Sequence, residues 1–241
     1  MKVSVVVPAF NEERLLADSL RSIRSAMEVF TQIGWRSELI VCDNNSTDRT
    51  AEIAREAGAR VVFEPLNQIA RARNAGARQA SGDWIVFVDA DSTPSRELFA
   101  DVAAEIRAGL ALAGGSTVFY ASSHHGVALL IGLWNLLSRT MRWAAGSFIF
   151  CDAAAFREVG GFSEALYASE EIELFSRLKR LARRRGRKIA ILHRHPLRTS
   201  DRKLHLYSGW TFAGFTAKTI VSGGRTLRSR TDCHAWYDGR R

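Results

Sequence analysis

Trp84-Ile85-Val86-Phe87-Val88-Asp89-Ala90-Asp91 decides the fold. Five apolar, strand-favouring residues run straight into two carboxylates one residue apart. An apolar run of this length reads as a strand buried on both faces, the kind found in parallel sheets. Open α/β sheets bind ligands beyond the carboxyl ends of such strands. Two acids placed there lose hydration and need a cation to offset the loss. An Asp-x-Asp at a strand end suits a hard divalent ion whose remaining ligands are phosphate oxygens. Alone, the triplet would serve equally as a turn or a helix cap. Its meaning rests on its surroundings.

Upstream, apolar runs and helical patterns alternate. Val3–Val7 is strand-like, and Asn11–Phe30 has Leu15, Leu16, Leu20, Ile23, Met27 and Phe30 at roughly helical spacing. Glu38–Cys42 is a second strand and Thr47–Ala57 a helix that Gly58 can stop. Arg60–Phe63 is a third strand, and Gln68–Ala80 an Ala- and Arg-rich helix before Trp84–Val88. This alternation predicts βαβ units with right-handed crossovers. The second half is less regular. Ser95–Ala108 reads as helix, Leu110–Tyr120 as strand, Glu170–Arg185 as a strong helix and Lys188–Leu192 as a short strand. The apolar stretch within His125–Trp143 is too short to span a bilayer, which needs about 20 apolar residues. A core helix, a contact between two copies of the chain and an interfacial membrane helix all remain open for it. Leu204–Val221 reads as a last apolar helix, and the polar, basic tail 222–241 carries no pattern that places it.

Composition narrows the class. With 241 residues and 46% hydrophobic content, a sizeable core forms without disulfides. Cys42, Cys151 and Cys233 are far apart and odd in number, which excludes a disulfide framework or zinc spacing and favours a reducing cytoplasm. The N-terminus lacks the long apolar core and cleavage site of a signal peptide. The net charge is +9, and residues 177–203 hold twelve Lys/Arg against one acid, Asp201. Such a run suits a phosphorylated ligand or an anionic membrane surface at the inner face of the membrane. No aromatic array interleaves with it, which argues against nucleic acid.

Polar clusters punctuate these runs. Pro8-Ala9-Phe10-Asn11-Glu12-Glu13 follows the first strand and Asp43-Asn44-Asn45-Ser46-Thr47-Asp48 the second. Ala72-Arg73-Asn74-Ala75-Gly76 lies in the helix before the fourth, which ends in Asp89-Ala90-Asp91. Strand-end clusters of a doubly wound sheet converge on one edge and make one site. A Gly-x-Gly-x-x-Gly fingerprint and a Walker loop are both absent, so a nucleotide would be held by side chains and a metal. With Gly160-Gly161-Phe162 and Ser169-Glu170-Glu171-Ile172-Glu173-Leu174 in the same order, residues 3–200 resemble a family 2 glycosyltransferase of the GT-A fold.

The resemblance implies sugar transfer from a nucleotide diphosphate donor, a UDP- or GDP-sugar, with Mg²⁺ or Mn²⁺. It matches Pro8, Phe10 and Glu12 to the loop bordering base and ribose, Asp43 to the acid at the base, and Arg73 and Asn74 to the segment near the phosphates. Asp91 is the first choice as direct metal ligand, with Asp89 at the ribose or at the metal through water. Glu170-Glu171 stands where the family usually has Glu-Asp, so Glu171, one methylene longer than the family's acid, is the expected base and Glu170 the next choice. His193, and after it His195, matches a position where some GT-A enzymes recruit an extra metal ligand. Arg202 or Lys203 matches a basic residue that closes over the diphosphate. Trp143 and Phe148 are candidates for stacking on a sugar. Each site also has a plain reading: an Asx turn for Asp43, a solvated helix face for Arg73, an acid-rich helix start for Glu170-Glu171.

The expectation is therefore an α/β, GT-A-type mostly parallel sheet flanked by helices. It spans residues 1–221, with a nucleotide-sugar half (1–92) and an acceptor-side half (93–221) that has a helical part. The expected activity is inverting, metal-dependent transfer to a sugar or lipid-linked acceptor in cell-envelope or polysaccharide synthesis. Two rivals stand beside it. A nucleotidyltransferase should show a Gly-rich, Lys-containing N-terminal phosphate loop, and a non-catalytic nucleotide-sugar-binding protein should lack the late acid pair.

Overall fold

The computed structural model describes residues 1–120, 135, 138, 140–141, 144–200, 218–219, 222 and 224–233. In chain order the elements are β1 (Lys2–Ala9), α1 (Leu16–Gln32), β2 (Arg36–Asp43), α2 (Thr50–Glu56), β3 (Arg60–Phe63), α3 (Ile69–Gln79) and β4 (Trp84–Val88). There follow β5 (Ser92–Thr93), α4 (Arg96–Ala108), β6 (Ala111–Tyr120), β7 (Phe148–Asp152), α5 (Ala153–Glu158), α6 (Glu170–Arg184) and β8 (Lys188–Thr199). A 3₁₀ turn covers Arg225–Arg228.

One eight-stranded sheet runs in the order β3-β2-β1-β4-β7-β6-β8-β5. Strands β3, β2, β1 and β4 are mutually parallel, with Val5 opposite Leu39 on one side and Val86 on the other. The chain walks outward from β1 to β3, then returns to place β4 on β1's other side. The switch point therefore lies between β1 and β4, where a ligand crevice is expected. Successive side chains of a strand face opposite ways. Val3, Val5 and Val7 enter the core under α1 and α4, while Val6, Ile85 and Phe87 enter the core under α3, α5 and α6. Helix α3 presses closely on β1: a Cβ on Gly76 would lie 2.4 Å from Val6 Cγ1. That approach seats Arg73 beneath the strand ends.

Beyond β4 the sheet departs from simple alternation. Strand β7 enters antiparallel between β4 and β6, with Val86 opposite Phe150. Its Phe148-Ile149-Phe150-Cys151 run is buried on both faces and supplies the middle of the sheet. Phe148, considered above for sugar stacking, is fully buried against Phe99, their ring centroids 6.0 Å apart. It is a core residue. The strand expected to end at Leu192 continues to Thr199 beside β6, with an irregularity in which Leu192 faces Ser116 and Leu197 faces Val118. Residues 127–134, Trp143, Arg202, Lys203 and most of 204–221 lie outside the described residues. Among the described residues, no helix is long and apolar enough to cross a membrane.

Candidate active site

The loops after β1 and β2 are sewn together. Asn11 takes a left-handed backbone, φ 51°. Its N–H donates to Ser46 Oγ at 3.0 Å, and its side-chain oxygen accepts from the Thr47 N–H at 2.8 Å. The Glu12 N–H donates to Thr50 Oγ1 at 2.8 Å, and the Asn44 N–H to the Ala9 carbonyl at 2.8 Å. Glu12 and Asp43 are thereby buried at the top of the sheet, while Pro8 ends β1 opposite Cys42 and Phe10 is half-buried beside them. Asp43 does close an Asx-type turn: its Oδ1 accepts the Ser46 N–H at 3.1 Å.

Arg73 is the hub of the site. It is 1% exposed. Its Nη1 donates to Glu170 Oε1 at 2.7 Å, and its Nη2 to Asp89 Oδ1 at 3.0 Å and the Gly146 carbonyl at 2.8 Å. The guanidinium carbon lies 5.2 Å from the centre of the Phe162 ring. Burial works against its charge, and Asp89, Glu170 and Glu171 more than offset that, so its pKa is raised. Sequence reasoning placed Arg73 at the donor phosphates. In the structure its fork is taken by two carboxylates, and it acts as the bridge between the end of β4 and the start of α6.

Asn74 meets a different set of partners. Its amide donates to the Phe162 carbonyl at 2.9 Å and to Glu164 Oε1 at 3.1 Å, and its oxygen accepts the Phe162 N–H at 2.9 Å. It clamps the Gly160-Gly161-Phe162 turn and is committed to structure. Gly161, at φ +68°, is required there, because a Cβ would lie 2.7 Å from Asn74 Oδ1.

Helix α6 starts from Ser169 in a left-handed conformation, φ 61°. Glu170 turns inward, is 4% exposed and binds Arg73. Glu171 is half-buried, and a Cβ on Gly146 would lie 3.5 Å from its carboxyl carbon and 3.4 Å from Arg73 Nη2. Burial raises the Glu171 pKa, the Glu170 charge adds to this, and Arg73 works the other way; the net result is a push up to about 8. Of the two acids, Glu171 is the one left to accept a proton, since Glu170 is held by Arg73.

On the other side of Arg73 sits the carboxylate pair that opened the sequence. The Asp89 carbonyl accepts the Ser92 N–H at 3.1 Å, closing a tight turn. Asp91 is met by the end of β8: Ser200 Oγ donates to its Oδ2 at 2.7 Å, and the Ser200 N–H to its carbonyl at 3.2 Å. The donor set is oxygen only, two carboxylates with hydroxyls at hand. Oxygen donors of this kind suit a hard divalent cation, and no third His, Cys, Asp or Glu joins them among the described residues.

His193 is not brought to this pair. It is exposed, next to Leu192. Leu192 pairs with Ser116 and Thr199 with Tyr120. Those four steps along β6 place Leu192, the neighbour of His193, about 13 Å from Thr199, at ~3.3 Å per residue. The irregularity in β8 carries it away from Asp91. His195 turns outward, its Nδ1 2.9 Å from Asp101 Oδ2 on α4. Sequence reasoning missed the Gly146 carbonyl and Phe162 as partners of Arg73. A turn carbonyl has no sequence signal, and a phenylalanine in Gly-Gly-Phe reads as core.

The same fold is found in known proteins. A family model described as "Glycosyl transferase family 2" matches residues 4–159. The chain belongs to glycosyl transferase family 2. It is 32% identical over 121 residues to a dolichol-phosphate mannosyltransferase from Pyrococcus furiosus, a match covering 48% of this chain and 33% of that protein. The chain thus matches a third of the length of that curated relative. Among solved structures it is similar to a mannosyltransferase from Pyrobaculum calidifontis in complex with GDP-Man and Mn²⁺, with TM-score 0.70 and 18% identity over 98% of this chain and 73% of the other. It is also similar to glucosyl-3-phosphoglycerate synthase from Mycobacterium tuberculosis in complex with Mn²⁺, UDP and phosphoglyceric acid, with TM-score 0.63 and 20% identity over 96% and 78%. These likenesses establish the GT-A fold for this family 2 chain.

Proposed function

We propose that this chain transfers a sugar from a nucleoside diphosphate sugar to an acceptor, with inversion at the anomeric carbon. The observation that carries this reading is the Arg73 bridge, which joins Asp89 of the donor edge to Glu170, next to Glu171 on the acceptor edge. The solved relatives with GDP-Man or UDP and Mn²⁺ support a nucleotide donor and a divalent cation. Pro8, Phe10, Glu12 and Asp43 line the base and ribose side. Asp91, with Asp89, would hold Mg²⁺ or Mn²⁺. When bound, such an ion stabilises charge on the departing diphosphate as a Lewis acid.

The remaining work falls to protein groups. Glu171 accepts the acceptor's proton as its oxygen bonds to the anomeric carbon; the sugar–phosphate bond breaks, and its electron pair leaves on the diphosphate. A base with a pKa near the working pH serves this role well. Glu170 and Arg73 keep Glu171 beside Gly146. The relative's name includes a phosphorylated lipid, which supports a lipid-linked acceptor and transient contact with a membrane surface. The chain would then work from the cytoplasmic side.

Thermal-shift titration of UDP- and GDP-sugars with Mn²⁺ tests donor binding, since a ligand of the native state raises apparent stability. Glu171→Gln should keep donor binding and lose about 10²- to 10⁴-fold in transfer, the usual contribution of a general base. Asp91→Asn should lose the Mn²⁺-dependent part of the shift. Unaltered transfer in both variants would overturn the proposal.

A further inference from the structure

The sequence left the C-terminal tail without a role, and the structure docks part of it beside the site. Gly224, at φ +83°, turns the chain into the 3₁₀ turn Arg225–Arg228. The Tyr167 N–H, three residues before Glu170, donates to the Leu227 carbonyl at 2.7 Å. Thr226 and Cys233 are buried, and the Cys233 thiol donates to the Thr226 carbonyl at 3.4 Å. Lys218 pairs with Asp232 at 2.6 Å and ties down the segment's other limb. The Cys233 thiol is pushed up to about 11 by burial first, then by the charges of Asp232 and Glu170, the first residue of α6.

Three arginines project from this docked segment. Arg225, Arg228 and Arg230 are exposed, and none has an ion-pair partner among the described residues. Some basic residues elsewhere are instead paired. Arg177, Arg185, Arg187 and Lys188 are matched to Glu173, Glu158, Asp152 and Glu105. The basic C-terminal half of α6 is also remote from the chemistry. Its last residue lies about 21 Å from Glu170, at 1.5 Å per residue. The part of the basic run that lies on α6 is therefore distant from the acids, whereas the short one in the tail sits against the loop that leads to them. Asp89, Glu170 and Glu171 would repel an anionic acceptor unless cations offset them. Guanidinium forks match phosphate oxygens bidentately, and the hydroxyls of Ser229 and Thr231 stand among them, 2.9 Å apart.

We propose that the segment Arg225–Arg230 forms a wall of the acceptor site and that Arg225, Arg228 and Arg230 grip a phosphate group carried by the acceptor. This deepens the transfer reading and rests on it for the acceptor's place. The phosphate is recognised only; no bond to it changes beyond those of the transfer itself.

The test uses the full chain and three probes: glycerol 3-phosphate, glycerol, and vesicles of phosphatidylglycerol against phosphatidylcholine, at low salt. Binding is followed by calorimetry and flotation for the wild type and for Arg225→Glu/Arg228→Glu/Arg230→Glu. We expect glycerol 3-phosphate or phosphatidylglycerol to bind and glycerol and phosphatidylcholine not to. Affinity in the triple variant should fall at least roughly tenfold, as expected for lost charge-assisted hydrogen bonds. A triple Arg→Lys variant should keep the charge and lose only part of the affinity. Binding to glycerol 3-phosphate supports a free phosphorylated acceptor, and binding to phosphatidylglycerol vesicles alone supports a lipid-borne one. Equal binding by wild type and the Glu variant, or no phosphate binding at all, overturns the proposal. The UDP- and GDP-sugar thermal shift, unchanged across these variants, separates the two readings: its absence in the wild type would sink the transfer proposal, while the phosphate result still scores the tail.

Discussion

The N-terminal and C-terminal parts of the molecule are built by different means. In residues 1–92 the first three strands are each followed by a helix, and β1 lies between β2 and β4 in plain parallel register. Its loops are fastened to their neighbours by short links such as Asn11 to Ser46 and Thr47. In the C-terminal part, β7 is inserted antiparallel between β4 and β6, and β8 returns to meet β5 over a hundred residues later, Thr199 opposite Ser92. The seam is carried by two adjacent residues of α3. Arg73 reaches Glu170, and Asn74 holds Phe162 and Glu164. The first part is encoded locally; placing Glu170 and Glu171 beside it requires long-range contacts that converge on α3.

The strongest way to break that seam is at Arg73. Arg73→Met leaves Asp89 and Glu170 facing each other without their cation. Removing one partner of a buried pair costs about 3–5 kcal/mol. The midpoint of urea unfolding should fall accordingly, and transfer should fall with it as Glu170 and Glu171 lose their fixed positions. Arg73→Lys should recover charge without the fork and lie between. A Met variant with wild-type stability would mean that the two halves hold together without this bridge.

Asn74 tests the second stitch and should have a smaller effect. Asn74→Ala leaves the Phe162 N–H and carbonyl without their buried partners, at a cost of about 1–3 kcal/mol. Because the side chain is committed to the turn, nucleotide-sugar affinity measured below the unfolding range should not change. A loss of donor affinity with stability intact would return Asn74 to the donor site.

The contrast between the halves also explains what was legible in the sequence. The four parallel strands, the Ser95-capped helix α4 and the helix from Glu170 carry their periodicity within a dozen residues, and the structure forms each of them. Asp89-Ala90-Asp91 was legible as a strand-end carboxylate pair because it interrupts an apolar run. The acid pair Glu170-Glu171 was legible as a unit, but its division of labour was not. Which acid meets Arg73 depends on the left-handed turn at Ser169 and on Arg73 arriving from 97 residues away. Arg73-Asn74 was read as one donor segment, yet the helix points the two side chains to different partners. His193 reads as poised at a strand end until the irregularity in β8 extends that strand to Thr199.

The start of α6 has a pH signature. The Glu171 pKa is raised to about 8, with burial the first cause. The sign follows directly. The folded protein favours the protonated form, so this acid's contribution is fully present below its unfolded value, near 4.5, and is lost as pH rises through about 8. Glu171→Gln removes that dependence and should be more stable than wild type at pH 9, by on the order of 1 kcal/mol, with little difference at pH 4. In wild type, kcat/KM for transfer should rise with pH to a plateau above about 8, as the free protein's base ionises. A flat profile between pH 6 and 9 would remove Glu171 as the base.

The smallest expected effects lie at the two histidines, and they sharpen the division of labour most. If the divalent ion belongs to the donor edge alone, His193→Ala should leave Mn²⁺ affinity unchanged, because its neighbour Leu192 is about 13 Å from Thr199 at the end of β8. His195→Ala removes a partner of Asp101 whose side chain is 42% exposed. Exposed pairs contribute about 0–1 kcal/mol, so a slight drop in Tm and no change in metal binding should follow. A several-fold loss of Mn²⁺ affinity in His193→Ala, read by calorimetry with UDP present, would show that β8 rearranges on loading and that the acceptor half supplies a metal ligand after all.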